Sequence, residues 1–191
     1  MTRFLSVLVV FTLLITTTVF AGPGAGNNVV KSKTATQAYS LKNAKFFNES
    51  ALWSVLQDSV PNPSIDQQFE HVDGNMRGMV LSFKEFVPMD EFLESFLSGM
   101  KEDAPETKYL DRRTATVNGV AMMEITIEMT TPQAPIRYIG YVYSGAKGVC
   151  MALGICHRDL FNDVKETLLT FAAGLVVETA AKTKTKTKSK K

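Results

Sequence analysis

Two histidines, two cysteines and a pair of glutamates on one strand are the residue types in this chain that suit catalysis or metal binding. His71 sits in Glu70-His71-Val72-Asp73, where Glu70, His71 and Asp73 offer three ligand types within four positions. That spacing follows no recognised metal-ligand pattern, and Asp73-Gly74 just after it is a turn signal, so the segment reads as a solvated loop. His157 directly follows Cys156. Neighbours on extended backbone point to opposite sides, so the two do not form a nucleophile–base pair. Cys-x5-Cys-His also differs from the Cys-x-x-Cys-His of haem attachment. His157 reads instead as a helix-start residue near Asp159. Glu124 and Glu128 share one side of a strand, but four residues of strand separate them by about 13 Å, too far for coupled acid–base work. Arg137 on the next strand is their expected partner in a cross-strand ion pair. The sequence shows no Gly-rich phosphate loop, metal motif or Ser-His-Asp pattern, so no catalytic, metal or cofactor-binding residue is assigned and no cofactor is expected.

The elements that position these groups follow from periodicity. Arg77 to Phe86 alternates, with Met79, Leu81 and Phe83 on one side, and predicts a strand. Pro88 then opens a helix in which Met89, Phe92, Leu93, Phe96, Leu97 and Met100 trace one face, while Asp90, Glu91 and Glu94 fill the other. Four strands follow. They cover Tyr109 to Thr116, Val120 to Thr130 after an Asn118-Gly119 hairpin turn, Ile136 to Tyr143, and Val149 to Cys156. In the second of these, Ala121, Met123, Ile125, Ile127 and Met129 are expected inward, and Glu124, Thr126 and Glu128 outward. The last is apolar on both sides, as in a central strand covered on both faces. Its smaller side (Cys150, Ala152, Gly154) predicts a closely packed helix. Cys150 and Cys156 stand about 20 Å apart on that one strand, which predicts two buried thiols rather than a disulfide. A final helix starts at His157-Arg158-Asp159, carries Leu160, Phe161, Val164, Leu168, Phe171 and Ala172 inward, and ends at Gly174, with Val176-Val177 as a docking stub. Asn48-Glu49-Ser50 is expected to cap a short helix bearing Leu52, Trp53 and Leu56, and residues 61–75 read as loop.

The two ends differ from the middle. Arg3, an apolar run from Phe4 to Ile15, and Val19-Phe20-Ala21 ahead of Gly22-Pro23-Gly24 make a secretory signal peptide over 1–21. The run fades into three threonines before the ~20 residues that a membrane span needs. Residues 22–45 are expected to be a flexible lead-in, 46–178 a single domain, and 179–191 a disordered Lys/Thr tail. Fourteen of the 21 basic residues lie between leader and tail against all 19 acidic ones, so the body is acidic by five charges. That balance disfavours nucleic acid as a specific partner. Lys182, Lys184, Lys186, Lys188, Lys190 and Lys191 form an extended cation suited to anionic membrane or wall polymer, worth about 1 kcal/mol per lysine at a charged membrane.

Helix, strand, helix, four antiparallel strands, helix is an α+β order, with a sheet of about five strands packed by helices. The layout over residues 77–173 resembles the PsbP/Mog1-like α/β/α sandwich family of small exported proteins. The resemblance rests on the strand running into the Met79–Met100 helix region, the Asn118-Gly119-Val120 hairpin, the strand of Tyr138, Tyr141 and Tyr143, and the Asp159-Leu160-Phe161 helix start. The aromatic-rich strand ending in a Pro-x-x-Trp-like turn that this family carries at its front is not evident here, since Trp53 falls in an expected helix. The resemblance implies a non-catalytic accessory or assembly factor and supplies no catalytic residues. The expected protein is thus exported, periplasmic or extracellular, and binds a partner protein or envelope component. A helix-grip or cystatin-like cone is the alternative architecture. Its cavity, lined by Phe83, Phe92, Phe96, Met123 and Met129, would carry an apolar ligand or lipid. An enzyme without a recognisable motif is the remaining alternative.

Overall fold

The computed structural model describes residues 28–56 and 65–178. Along the chain run β1 (Asn28–Val29), β2 (Gln37–Ser40), β3 (Lys45–Asn48), β4 (Trp53–Val55), β5 (Gln67–His71) and β6 (Met76–Phe83). Then come α1 (Met89–Asp103), β7 (Lys108–Val117), β8 (Val120–Thr130), β9 (Pro135–Gly145), β10 (Gly148–His157), a 3-10 turn (Arg158–Leu160), α2 (Phe161–Ala172) and β11 (Leu175–Val176). The mixed α+β class stands. The sheet is larger than expected: eight strands in the order β1-β7-β8-β9-β10-β6-β5-β4, with a separate three-stranded sheet β11-β3-β2. The five strands read from the sequence form its contiguous centre, and the additions lie at the two edges.

The extra strands ahead of β6 lie between Asn28 and His71 and are two to five residues long. Such pieces are too short to show a period, and tertiary pairing makes them. Residues 28–45, expected as a lead-in, hold β1 and β2, and residues 67–71 of the expected loop form β5. The helix expected after Asn48 shrinks to one turn, in which Leu52 and Trp53 both donate to the Glu49 carbonyl at 2.9 Å. The chain then straightens, and Trp53 pairs with His71 across β4–β5. Phe46-Phe47 on β3 make an aromatic strand at this front end, while Trp53 opens β4 with no proline in the turn before it.

Alternation along β10 sorts the core into two layers. Val149, Met151 and Leu153 join Leu81, Ile125, Ile127, Val142 and the α1 residues Phe92 and Leu93. Cys150, Ala152 and Cys156 face Leu168 and Phe171 of α2, together with Phe46, Trp53 and Phe69. With α1 and α2 on opposite faces, the sheet does not curl round a single helix as a cone would. α2 lies close because glycine allows it: a Cβ at Gly154 would stand 2.6 Å from that of Leu168. The β7–β8 hairpin turns on Asn118 (φ 50°) and Gly119 (φ 79°), the left-handed pair that the Asn-Gly dipeptide favours.

Candidate functional site

Between α1 and the face of the sheet beneath it lies an open cleft of about 480 Å³. The Phe–Met stripe of α1 sets its roof, because Phe92, Phe96 and Met100 recur at helical spacing along one side. Phe83 and Met79 rise from β6, Met129 from the end of β8 and Tyr138 from β9. Phe92 and Phe96 stack with centroids 6.1 Å apart, and Phe83 tilts against Phe92 at 6.2 Å. The Tyr138 hydroxyl meets the Met129 sulfur at 3.5 Å, and burial raises its pKa. The roof is pinned at two points: the Tyr109 hydroxyl donates to the Leu93 carbonyl at 2.7 Å, and Ser144 Oγ donates to the Val87 carbonyl just ahead of α1. Burial pushes Tyr109 up to about 12, so this tether stays protonated at any physiological pH. Asp103 stands at the mouth, and Glu91, Glu94 and Glu102 lie exposed on the same helix.

Four of the five apolar residues singled out from the sequence, Phe83, Phe92, Phe96 and Met129, therefore meet around one cleft. Met123 packs against the same core outside the lining. It precedes Met129 by six residues on β8, about 20 Å of strand, and one cleft does not span that length. Met79 and Met100 were missed, although each had a signal: Met79 alternates with Leu81 and Phe83, and Met100 follows Phe96 by one turn.

The titratable groups pair off locally. His71 Nδ1 lies 2.9 Å from Asp73 while its ring stands edge-on to Trp53, and Glu70 reaches Arg77 at 3.9 Å instead, so the three side chains do not converge on one point. His157 Nδ1 accepts from the Asp159 backbone N–H at 3.2 Å, capping the 3-10 turn, as a helix-start residue does. Arg137 grips Glu128 with Nε at 3.2 Å and Nη2 at 3.0 Å, opposite it in the β8–β9 register. Those bonds, above all, hold Glu128 below the usual carboxylate pKa. Glu124 takes a partner the sequence reading missed, Arg113 on β7 at 2.6 Å. This side of β8 is also not a solvent face, because Glu124 and Thr126 are both buried. Cys150 and Cys156 are buried free thiols. Burial, with the charge of Asp66 behind it, pushes Cys150 up to about 12, and burial pushes Cys156 up to about 11. A thiol so protonated is a poor nucleophile.

The six tail lysines and the leader lie outside the described residues. Among those described, no helix is long and apolar enough to cross a membrane.

No protein-family model and no curated protein matches the chain. Solved structures do. The solution structure of cyanobacterial PsbP (CyanoP) from Synechocystis sp. PCC 6803 superposes with a TM-score of 0.54 at 12% identity, covering 83% of this chain and 99% of that one. A Pseudomonas aeruginosa protein of unknown function, PA94, superposes at 0.42 and 11% identity over 69% of this chain and 89% of its own. The chain has a PsbP-like fold.

Proposed function

We propose that this protein is a non-catalytic accessory factor of the cell envelope that docks a segment of a partner protein in the cleft under α1. The observation that carries the reading is the lining itself: an open channel of Phe and Met side chains with Asp103 at its mouth. Apolar anchors flanked by lysine or arginine complement such a surface, and Met-rich walls adapt to more than one anchor shape. A free fatty acid suits it less, since its carboxylate would meet Asp103 at the mouth. The PsbP-like fold agrees with an accessory role. The local pairing of both histidines and the burial of both thiols also argue for binding over covalent chemistry.

In the same reading the N-terminal leader directs export, and the lysine tail holds the mature protein near anionic membrane or wall polymer. Fluorescence anisotropy with a labelled amphipathic Leu/Lys peptide tests the docking. The native protein should bind it, and Phe96→Lys, a change at a half-buried position on the lip, should weaken binding by at least about tenfold. Equal binding by both proteins would remove the cleft from the account. Deleting residues 183–191 should abolish salt-sensitive association with anionic vesicles and leave peptide binding intact. Association that survives the deletion would remove the tail's part.

A further inference from the structure

One end of the fold gathers three turns and the point where the chain leaves its last strand. The β2–β3 turn is tied to the end of β6: the Lys42 backbone N–H donates to Ser82 Oγ at 3.1 Å, and Asn43 Nδ2 donates to the Phe83 and Val149 carbonyls at 2.9 and 3.0 Å. The β9–β10 turn presses on the same place, since a Cβ at Gly148 would stand 2.1 Å from the Phe83 carbonyl oxygen. Ser144 Oγ donates to the Val87 carbonyl and so joins the loop between β6 and α1 to that turn. Lys42, Lys45 and Lys147 line one surface hollow with Glu178, the last described residue.

Lysine and phenylalanine occupy the tips. Lys42 pairs with Asp66 and Lys45 with Glu178, whereas exposed Lys84 and Lys147 make no ion pair among the described residues. Phe86, two residues after Lys84, is 61% exposed, and among the described residues no other aromatic side chain is left so open. Glu85, Asp90 and Glu91 balance the lysines of the turns, so the cationic character of this end comes from the tail. Its six lysines begin at Lys182, four residues after Glu178 and within about 14 Å of it by chain length.

Resting on the attachment by the tail just proposed, we infer that this end is a lipid-contacting face: the tail draws the protein to an anionic bilayer, and Phe86 enters the boundary between headgroups and acyl chains. A wall polymer offers charge but no apolar interior for a phenylalanine, whereas a bilayer offers both. Lys84 and Lys147 stand beside the ring at headgroup level. The pose also orients the α1 cleft. α1 leaves this end at Met89 and reaches Asp103 about 20 Å away, beside Met129 and Tyr138 at the other end of the sheet. The mouth of the cleft therefore faces away from the membrane and stays open to a partner.

Vesicles of equal parts phosphatidylglycerol and phosphatidylcholine test this on residues 22–191. Phe86→Cys and Leu110→Cys, two exposed positions at opposite ends, each take a nitrobenzoxadiazole dye, since Cys150 and Cys156 are buried. On binding, the dye at 86 should brighten and shift to the blue, and the dye at 110 should not. In sedimentation with the same vesicles, Phe86→Ser should weaken binding about fivefold, and Lys84→Gln with Lys147→Gln about thirtyfold. Lys101→Gln with Lys108→Gln removes the same charge at the other end and should change binding less than about twofold. Dyes that respond alike, equal losses in the two double variants, or native binding by Phe86→Ser would each mean attraction without a face, and would overturn this proposal while leaving the tail's role standing. Binding that survives deletion of residues 183–191 but still falls with Phe86→Ser would keep the face and remove the tail. No binding by the native chain would overturn both.

Discussion

The side-chain amide of Asn118, at the tip of the β7–β8 hairpin, donates a 2.8 Å hydrogen bond to the carbonyl of Ala173, fifty-five residues away at the end of α2. It donates again to the Leu175 carbonyl at 2.8 Å, and its Oδ1 accepts from the Lys31 backbone N–H at 2.8 Å. One turn residue therefore joins the hairpin, the exit of the last helix and the exit of the first strand, three segments that meet nowhere in sequence. Asn118→Ala removes all three bonds and puts a less tolerant residue at positive φ, so it should cost about 2–3 kcal/mol in urea unfolding. Asn118→Asp keeps the acceptor but turns a carboxylate oxygen onto the Ala173 and Leu175 carbonyls, so it should not recover the loss. A cost under about 0.5 kcal/mol would show the junction to be held by other contacts.

The approach of α2 to β10 makes a second prediction. Gly154→Ala places a methyl where Leu168 already sits and should cost about 1–3 kcal/mol by overpacking. Pairing it with Leu168→Gly should give a smaller total loss than the sum of the single changes, because removing the Leu168 Cβ opens the space that the new methyl needs. Strict additivity would mean that α2 does not press on this glycine.

The Glu128–Arg137 pair sets a pH dependence. Glu128 has a lowered folded pKa, so its contribution to stability is present above the unfolded value of 4.5 and is lost as pH falls through the lower folded value. Between about pH 6 and pH 3, Glu128→Gln should flatten the fall in urea midpoint relative to the native protein. Parallel curves would show that the pair contributes nothing to folding.

The thiols make a chemical prediction. With Cys150 pushed up to about 12 and Cys156 up to about 11, and both buried, neither should react appreciably with a thiol reagent at pH 8 in the folded protein. Both should react at once in denaturant. A denatured protein that titrates no thiols would mean a disulfide, and β10 would have to bend sharply to make one.

Legibility in the sequence followed the length of each element. α1 and β6 to β10 are eight residues or longer, and their periods and turns could be read directly. The small face of β10 foretold the close helix, and Gly154 against Leu168 is that closeness. β1 to β5 could not be read, because strands this short owe their existence to partners far along the chain. Trp53 shows the difficulty: a capping signal at Asn48 is real and forms a turn at Glu49, but pairing with His71 overrides its continuation. In the cleft, the aromatic lining was legible because helix and strand periods put Phe83, Phe92 and Phe96 on facing surfaces. Met123 failed because a shared strand face does not mean a shared position along the strand. Arg113 was missed as the partner of Glu124 because cross-strand register, not composition, decides who pairs.

Methyl NMR of the methionines, during titration with the amphipathic Leu/Lys peptide, tests the central claim most directly. Met79, Met100 and Met129 line the cleft under α1, whereas Met76 and Met122 lie in the core on the opposite face of the sheet. The account predicts that the first three signals shift together on binding while Met76 and Met122 stay in place. Shifts at Met76 and Met122 alone, or none at any of the five, would contradict docking under α1.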